Sequence, residues 1–206
     1  MDLMIIATMA VSIFLILDPF ASVPVFLSVT EGEDHKTIGS YANKAVAVAA
    51  ILLMVFIFTG PSLMDAFGVT MDGFRVAGGI MLLLMSVELV FDLSSGRKGG
   101  KQGAPWVIVA TPILTGPGVI TEAILLSEEY GILPVVISGI IALAVTWVIL
   151  RASTGIMRLV GSQAIGIFSR VIGLFIAAMG VEYIFTGTFN WFYAKEAASA
   201  IMAMIF

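Results

Sequence analysis

Four acidic side chains lie within long apolar stretches of the sequence and are the residues best suited to do chemistry: Asp18, Glu88, Glu122 and Glu182. An uncompensated carboxylate is costly in apolar surroundings, so an acid in such a place is a functional candidate by default. A carboxyl group there can bind an ammonium group, a cation or a proton. We therefore take all four as candidates for ion coupling or gating.

The composition predicts that these acids belong to a helical membrane protein. Of the 206 residues, 60% are hydrophobic and 12% are charged, and the mean hydropathy is +1.10, whereas soluble domains carry about 25% charged residues. A hydrocarbon core about 30 Å thick takes about 20 apolar residues per helix. The sequence predicts one all-α domain over 1–206 with six transmembrane helices, at residues 3–29, 39–60, 73–93, 104–127, 132–152 and 167–188.

Each acid also has a structural alternative in such a protein. Asp18 could cap a helix or face a water-filled cavity. Glu88 and Glu182 could reach the membrane interface or pair with Arg or Lys. Glu122 could line an outward vestibule, or its side chain could extend towards the headgroups.

Two proline pairs with the same spacing mark the first and fourth predicted helices. Pro19 and Pro24 form one pair, and Pro112 and Pro117 form the other. Each proline removes a backbone N–H and clashes with the preceding turn, so both helices should break near mid-membrane. Unwound backbone is tolerated there where protein or a watery cavity receives it, which predicts a cavity at the breaks. The alternative is that the prolines merely kink packed helices.

The breaks also predict what the cavity would bind. Pro24 and Pro117 suit the first turns of the second half-helices, with Ser22 near the first N-cap and Thr115 or Gly116 near the second. These N-termini favour a carboxylate, while the carbonyl groups that end the first half-helices favour an ammonium group or a cation. A zwitterionic amino acid satisfies both. The predicted substrate-binding residues are Asp18, Ala21, Ser22, Thr111, Thr115, Gly116 and Gly118.

Glycines are expected to serve two purposes. Gly116 and Gly118 lack a Cβ atom and would let a ligand approach the backbone of the second break. Gly78, Gly79 and Gly173 are expected to be helix-packing contacts and are assigned no binding role.

The proline pairs belong to an internal repeat. The segment Asp18–Pro24 corresponds to Thr111–Pro117, and Arg75–Glu88 corresponds to Arg170–Glu182. Since each repeat has three spans, the second copy must enter the membrane in the opposite orientation. The predicted units are repeat one at 1–93, a cytoplasmic linker at 94–104, repeat two at 104–188 and an interfacial tail at 189–206.

Charged and aromatic residues predict the orientation. Eight of the ten Lys and Arg residues fall on one side of the predicted helices, so by the positive-inside rule both termini lie on the outer side of a cell (inner) membrane. Arg75 and Lys195 are the two exceptions. The aromatic residues of the tail are typical of a membrane interface: Phe189, Trp191, Phe192 and Tyr193.

Several functional classes lack the residues they need. The chain has no Cys and one His, His35, which excludes thiolate catalysis and most zinc sites. The basic residues form no long run, so nucleic acid is not an expected partner. We expect no enzyme activity and no cofactor, unless a coupling ion, a proton or sodium, is counted as one.

These motifs resemble those of the MarC family of integral membrane proteins, which pairs an N/D-P-x-G-x-x-P motif with P-L-x-x-G-P-G. Here the motifs are Asp18–Pro24 and Pro112–Gly118, and the family's F-R-I-A-G-G stretch is Phe74–Gly79. The chain departs at Ala21, where the family usually has Gly. The resemblance runs essentially end to end. It implies a six-helix fold and, for a branch of the family, ion-coupled transport of small neutral amino acids.

We therefore expect a secondary transporter that moves glycine, alanine or serine by alternating access. Its expected partners are this substrate and the lipid bilayer, and its packing glycines permit a homo-oligomer without requiring one. The alternative is a channel or an exporter for another small solute, because half-helices that meet at mid-membrane also build pores.

Overall fold

The computed structural model describes the backbone of residues 2–91 and 116–205, and the side chains as far as Lys195. Helices joined by short turns make up these ranges. The predicted all-helical class is therefore confirmed for this part of the chain. In order, the helices are α1 (Leu3–Leu17), α2 (Pro19–Val29), α3 (His35–Phe67), α4 (Met71–Val90), α5 (Pro117–Tyr130), α6 (Ile132–Arg151) and α7 (Ser153–Ile205).

Within the described ranges, five helical segments are long and apolar enough to cross a membrane. They correspond to the predicted first, second, third, fifth and sixth helices. The predicted linker at 94–104 and most of the predicted fourth helix lie outside the described residues. The described part of that fourth helix is α5, which ends at Tyr130 rather than at residue 127. The five segments are Leu3–Val29, His35–Phe67, Met71–Val90, Ile132–Arg151 and Ser153–Lys195.

Helix α3 is longer than predicted at both ends. Asp34 caps its start by accepting a hydrogen bond from the Thr37 N–H at 3.1 Å, and its hydrogen bonds with the Thr37 side chain and backbone lower the pKa of Asp34. The predicted end before Pro61 is wrong, since the helix continues to Phe67 and ends at the left-handed Gly68 (φ 65°). A proline inside a helix removes one backbone bond, which the neighbours of a membrane helix can tolerate.

Helix α7 also differs from the prediction. It begins at Ser153 rather than at residue 167, and its backbone leaves helical geometry at Gly161 (φ 82°, ψ 159°), so two helical segments meet there. Beyond residue 188 the chain continues α7 to Ile205 instead of starting a separate helix. The position of this tail at the membrane interface remains a prediction.

Polar contacts between side chains mark the two ends of the helix bundle. At one end, which we call the Arg75 end, Arg75 forms an ion pair with Glu129 at 2.8 Å. At the other, the Asn43 end, the Asn43 side-chain oxygen accepts hydrogen bonds from Trp147 Nε1 at 2.7 Å and from Arg151 at 3.3 Å. Because α3 and α6 start at opposite ends, they run antiparallel.

Helix α5 is packed among the other helices on most of its surface. Nine of its residues between Gly118 and Ser127 are buried. Gly60 of α3 and Gly78 of α4 face the side chains of Ile124 and Thr121, and a Cβ atom on either glycine would overlap them. The absence of these two Cβ atoms therefore lets α3 and α4 approach α5. The predicted packing role of Gly78 is confirmed.

Helices α4 and α7 pack closely through small residues at heptad spacing. A Cβ atom on Gly180 would lie 2.7 Å from the Gly79 carbonyl oxygen, and one on Gly187 would lie 2.6 Å from the Asp72 carbonyl oxygen. The predicted packing role of Gly79 and Gly173 is confirmed. The order of the contacts makes the two helices antiparallel: Gly173 pairs with Ser86, Gly180 with Gly79, and Gly187 with Asp72.

We predict that Gly180→Ala destabilises the protein. The new methyl group would be forced against the Gly79 backbone, and overpacking of this kind costs about 1–3 kcal/mol. Gly166→Ala in the same helix is the matched control, because a Cβ atom there meets nothing within 4 Å. The melting temperature in detergent should fall for Gly180→Ala and stay level or rise for Gly166→Ala. Equal melting temperatures would contradict the close packing of α4 and α7.

Candidate functional site

The first predicted transmembrane helix is interrupted at Asp18. Helix α1 ends at Leu17 and α2 begins at Pro19, and Asp18 between them has left-handed backbone (φ 34°, ψ 68°). Asp is one of the few residues that visit this region, because its short polar side chain can hydrogen-bond locally. The interruption is therefore confined to one residue rather than spread over an unwound segment.

Asp18 caps both helices at this interruption. Its backbone N–H donates to the carbonyl oxygens of Phe14 and Leu15, each at 3.2 Å. Its Oδ1 accepts a hydrogen bond from the Ala21 N–H at 3.1 Å. The structural alternative considered for Asp18, an N-cap, is thus present. It uses only one of the two carboxylate oxygens.

The second oxygen of Asp18 is buried without a hydrogen-bond partner among the described residues. Asp18 is only 2% exposed, so bulk water does not satisfy this oxygen. A buried acceptor left unpaired carries a desolvation cost of about 1–3 kcal/mol. An unpaired oxygen on a carboxyl group is therefore a place where an ammonium group, a cation or a proton would be stabilised.

Two details of the predicted first break are wrong. The second half-helix starts at Pro19, whose fixed φ suits the first helical position, so Pro24 lies inside α2 rather than in its first turn. Ser22 is not the N-cap, because Asp18 takes that role. The buried Ser22 hydroxyl instead donates to the Asp18 carbonyl oxygen at 3.1 Å.

The second predicted break is described only from Gly116 onwards. Gly116 is the N-cap of α5 and has no side chain to bond the first N–H groups, and Pro117 occupies the first helical position. This agrees with the predicted places of these two residues. The predicted site residues Thr111, Pro112 and Thr115 lie outside the described residues.

Gly118 faces protein side chains rather than open space. A Cβ atom on it would lie 3.0 Å from Leu82 and 3.2 Å from both Ile16 and Met85. The expected approach of a ligand at Gly118 therefore has no room on that side. The same contact places the start of α5 against the last turn of α1, which Asp18 follows.

A cavity of about 600 Å³ lies beside α2, near the end of α4 that is farthest from Arg75 and closest to the Asn43 end. Two of its walls come from Ala21 and Pro24 of the first proline motif and from Leu89 of α4. The third wall is the segment of α7 that follows Gly161, and it supplies most of the polar groups: Ser162, Gln163, Ser169 and Arg170. The Ser169 hydroxyl is buried without a hydrogen-bond partner in the described part of the chain.

The remaining candidate acids occupy three different environments. Glu122 is fully buried and accepts hydrogen bonds from the Ser12 hydroxyl of α1 and the Tyr183 hydroxyl of α7. The alternative in which Glu122 extends towards the headgroups is therefore wrong, because α1 and α7 enclose its carboxyl group. Glu88 is partly buried near the end of α4, and Glu182 is exposed on α7.

Sequence reasoning named Glu182 on α7 but missed the α7 residues that the structure brings to these sites. The cavity residues Ser169 and Arg170 and the Glu122 partner Tyr183 were not predicted as site residues. A signal was available, because Arg170 and Glu182 are the repeat counterparts of Arg75 and Glu88. Which face of α7 these side chains occupy depends on the packing against α2, α4 and α5, which periodicity does not show.

We predict that Asp18→Ala and Asp18→Asn differ in stability. Alanine loses the cap, which costs about 0.5–2 kcal/mol, and also the tolerance of left-handed backbone, about 1–2 kcal/mol. The Asp18→Asn variant retains the cap and the tolerance of left-handed backbone, so its melting temperature should lie close to that of the wild type. Asp34→Ala is the control, because it removes a cap from extended backbone (φ −75°) and should cost less. Equal melting temperatures for Asp18→Ala and Asp18→Asn would contradict the double cap.

Comparison with known proteins supports the family resemblance that the motifs carry. The family model for MarC family integral membrane proteins matches residues 3–192. A UPF0056 membrane protein of Methanocaldococcus jannaschii is 32% identical over 91% of this chain and 97% of its own length. A second, from Archaeoglobus fulgidus, is 30% identical over 85% of this chain and 88% of its own length.

One bacterial relative has the words inner membrane in its name. The UPF0056 inner membrane protein YhgN of Escherichia coli is 27% identical over 90% of this chain and 97% of its own length. No solved structure matches the chain. With the family model covering nearly every residue, the chain belongs to the MarC family of integral membrane proteins.

Proposed function

We propose that this protein is a secondary transporter of small neutral amino acids, such as glycine, alanine and serine, driven by a proton or sodium gradient. The observation that carries the proposal is the buried Asp18 oxygen that has no hydrogen-bond partner among the described residues, at the point where the first transmembrane segment is interrupted. An intramembrane carboxyl group of this kind needs a cationic partner or a proton. The ammonium group of an amino acid is such a partner.

A second group suits the other end of a zwitterion. The start of α5 has no side-chain cap, and helix N-termini attract carboxylates through their free N–H groups and the helix dipole. Its Gly118 lies against Ile16, two residues before Asp18. Asp18 would bind the ammonium group of an α-amino acid, and the start of α5 would bind its carboxylate. A single carbon atom joins these two substrate groups, so the two protein groups must lie close together.

The cavity supports a small polar substrate. It joins the first proline motif through Ala21, whose N–H bonds Asp18, to the polar face of α7 at Ser169 and Arg170. The unpaired Ser169 hydroxyl adds a hydrogen-bonding group for a solute on its way to Asp18. The methyl group of Ala21, at a position where the family motif usually has Gly, narrows the cavity and favours substrates with small side chains.

Alternating access between inverted repeats remains part of the proposal. The antiparallel packing of α4 on α7, with Gly79 and Gly180 in mutual contact, is what a two-fold axis in the membrane plane would produce. The sequences Met85–Phe91 (MSVELVF) and Met179–Phe185 (MGVEYIF) match within these helices. The cavity lies towards the Asn43 end, which by the positive-inside prediction is the cytoplasmic side.

Uptake by proteoliposomes tests the function. We expect saturable uptake of radiolabelled glycine under an imposed proton or sodium gradient. Asp18→Asn should reduce this uptake to the level of protein-free liposomes, because the buried charge is lost while the cap remains. The matched control is Asp65→Asn, an exposed acid near the end of α3, which should transport normally.

Three outcomes would contradict the proposal. Folded wild-type protein that moves neither glycine, alanine nor serine would exclude this substrate class. Normal uptake by Asp18→Asn would remove the acid from the site. Uptake that neither saturates nor responds to gradients would favour the channel instead.

Cysteine labelling tests the cavity directly, since the natural chain has no cysteine. Gln163→Cys places a thiol on the cavity wall, and we expect glycine to slow its reaction with a water-soluble thiol reagent. Glu31→Cys, in the exposed loop before α3, is the control and should react equally fast with and without glycine. Equal rates at Gln163→Cys would argue against the cavity as the substrate's route.

A further inference from the structure

We propose that Glu122 binds and releases the proton that drives transport, and that its bonds to Ser12 and Tyr183 link this step to the opening of the Arg75 end. The inference rests on the proposed function and selects its coupling ion. Glu122 is separate from the cavity residues and is the most enclosed acid among the described side chains, with 0% exposure.

One carboxyl group joins three helices here. Glu122 belongs to α5, while Ser12 lies on α1 in the first half of the chain and Tyr183 on α7 in the second. In each bond a hydroxyl group donates to a different carboxylate oxygen. Both halves of the protein are thus fastened to the central helix through the same side chain.

Adding a proton must change these contacts. A carboxylate only accepts hydrogen bonds, whereas a carboxylic acid donates one, so the hydroxyl that faces the protonated oxygen must turn and accept instead. Ser and Tyr hydroxyls can do either, so the group can take up a proton without leaving a buried polar atom unpaired. Proton uptake by Glu122 is therefore linked to the hydrogen bonds that hold α1 and α7 to α5.

The groups around Glu122 leave it without a permanent counter-charge in the described contacts. Helix α1 has no titratable side chain, and α6 has only Arg151, at the Asn43 end. The titratable residues of α3 lie towards its ends, and α3 meets α5 where Gly60 faces Ile124.

The nearest charges lie towards the Arg75 end. On α5 itself Glu129 is about two turns away, and it is paired with Arg75 of α4 at 2.8 Å. Helix α4 carries two acids, Asp72 in its first turn at the Arg75 end and Glu88 near the Asn43 end. On α7 the titratable group that contacts Glu122 is Tyr183, while the adjacent Glu182 points outward and is exposed.

The position of Glu122 suits a gate. It lies about 12 Å along α5 from Tyr130, at 1.5 Å per residue, between the level of Asp18 and the Arg75 end. The cavity lies towards the Asn43 end, whereas α1, α5 and α7 are closed around Glu122. Alternating access requires this layer to part, which would expose the carboxylate to water on the Arg75 side, where it takes a proton. Release to the opposite side requires the same carboxyl group to meet water from the cavity side, in a state other than the enclosed one described, where Glu122 is 0% exposed.

The test separates coupling from transport. In proteoliposomes without a pH difference, Glu122→Gln should still exchange internal glycine for external labelled glycine. Under an inward proton gradient the same variant should fail to accumulate glycine above the external concentration. Glu128→Gln, an exposed acid on the same helix, is the control and should do both. Normal accumulation by Glu122→Gln would overturn the proposal, and so would loss of exchange by a folded variant.

A spectroscopic measurement does not depend on the substrate. In infrared difference spectra recorded against pH, the wild type should show a carboxylic acid C=O band that Glu122→Gln lacks. Tyr183→Phe should shift the pH midpoint of this band, which a purely structural role of the hydroxyl would leave in place. Absence of the band in the wild type would overturn the inference. Presence of the band in a protein that transports no amino acid would overturn only the proposed function.

Discussion

A polypeptide in hydrocarbon must satisfy its backbone N–H and C=O groups internally, and the rest of this structure follows from how the chain does so at an interrupted helix. Asp18 meets the requirement with its backbone N–H bound to the end of α1 and its Oδ1 bound to the start of α2. The left-handed backbone and the acid are both needed for this. As a consequence, a carboxyl group is held in the interior of the bundle with one oxygen that no described residue bonds.

Small residues then let the other helices close around this point. Gly60 and Gly78 admit α3 and α4 to the surface of α5, and the heptad-spaced glycines of α7 admit α7 to α4. Membrane helices gain little from burying apolar side chains away from lipid, so close backbone approach and polar contacts carry more of the packing. This accounts for the buried hydroxyl bonds at Glu122 within a core made mainly of aliphatic side chains.

Asp18 and Glu122 have different surroundings, and this favours a different function for each acid. Within the described part of the chain, Asp18 has one unpaired oxygen and is bonded to Ala21 of the cavity wall, whereas both oxygens of Glu122 are paired and the helices enclose it. A group that binds substrate needs free hydrogen-bonding capacity, while a group that couples to conformation needs bonds that the conformational change must break. The proposed assignments of Asp18 to the substrate and Glu122 to the proton follow from this difference.

The sequence by itself determined the helical membrane class, most of the span positions, the interruption at the first proline motif and the packing role of Gly78, Gly79 and Gly173. These features depend on local chemistry: apolar length, the missing proline N–H and the missing glycine Cβ. Only the tertiary structure decided that Pro24 lies within a helix, that Gly118 faces Ile16 and Leu82, and that Glu122 meets Ser12 and Tyr183. Those outcomes depend on which faces of distant helices come together, and a chain that is apolar on nearly every face carries little periodicity to predict them.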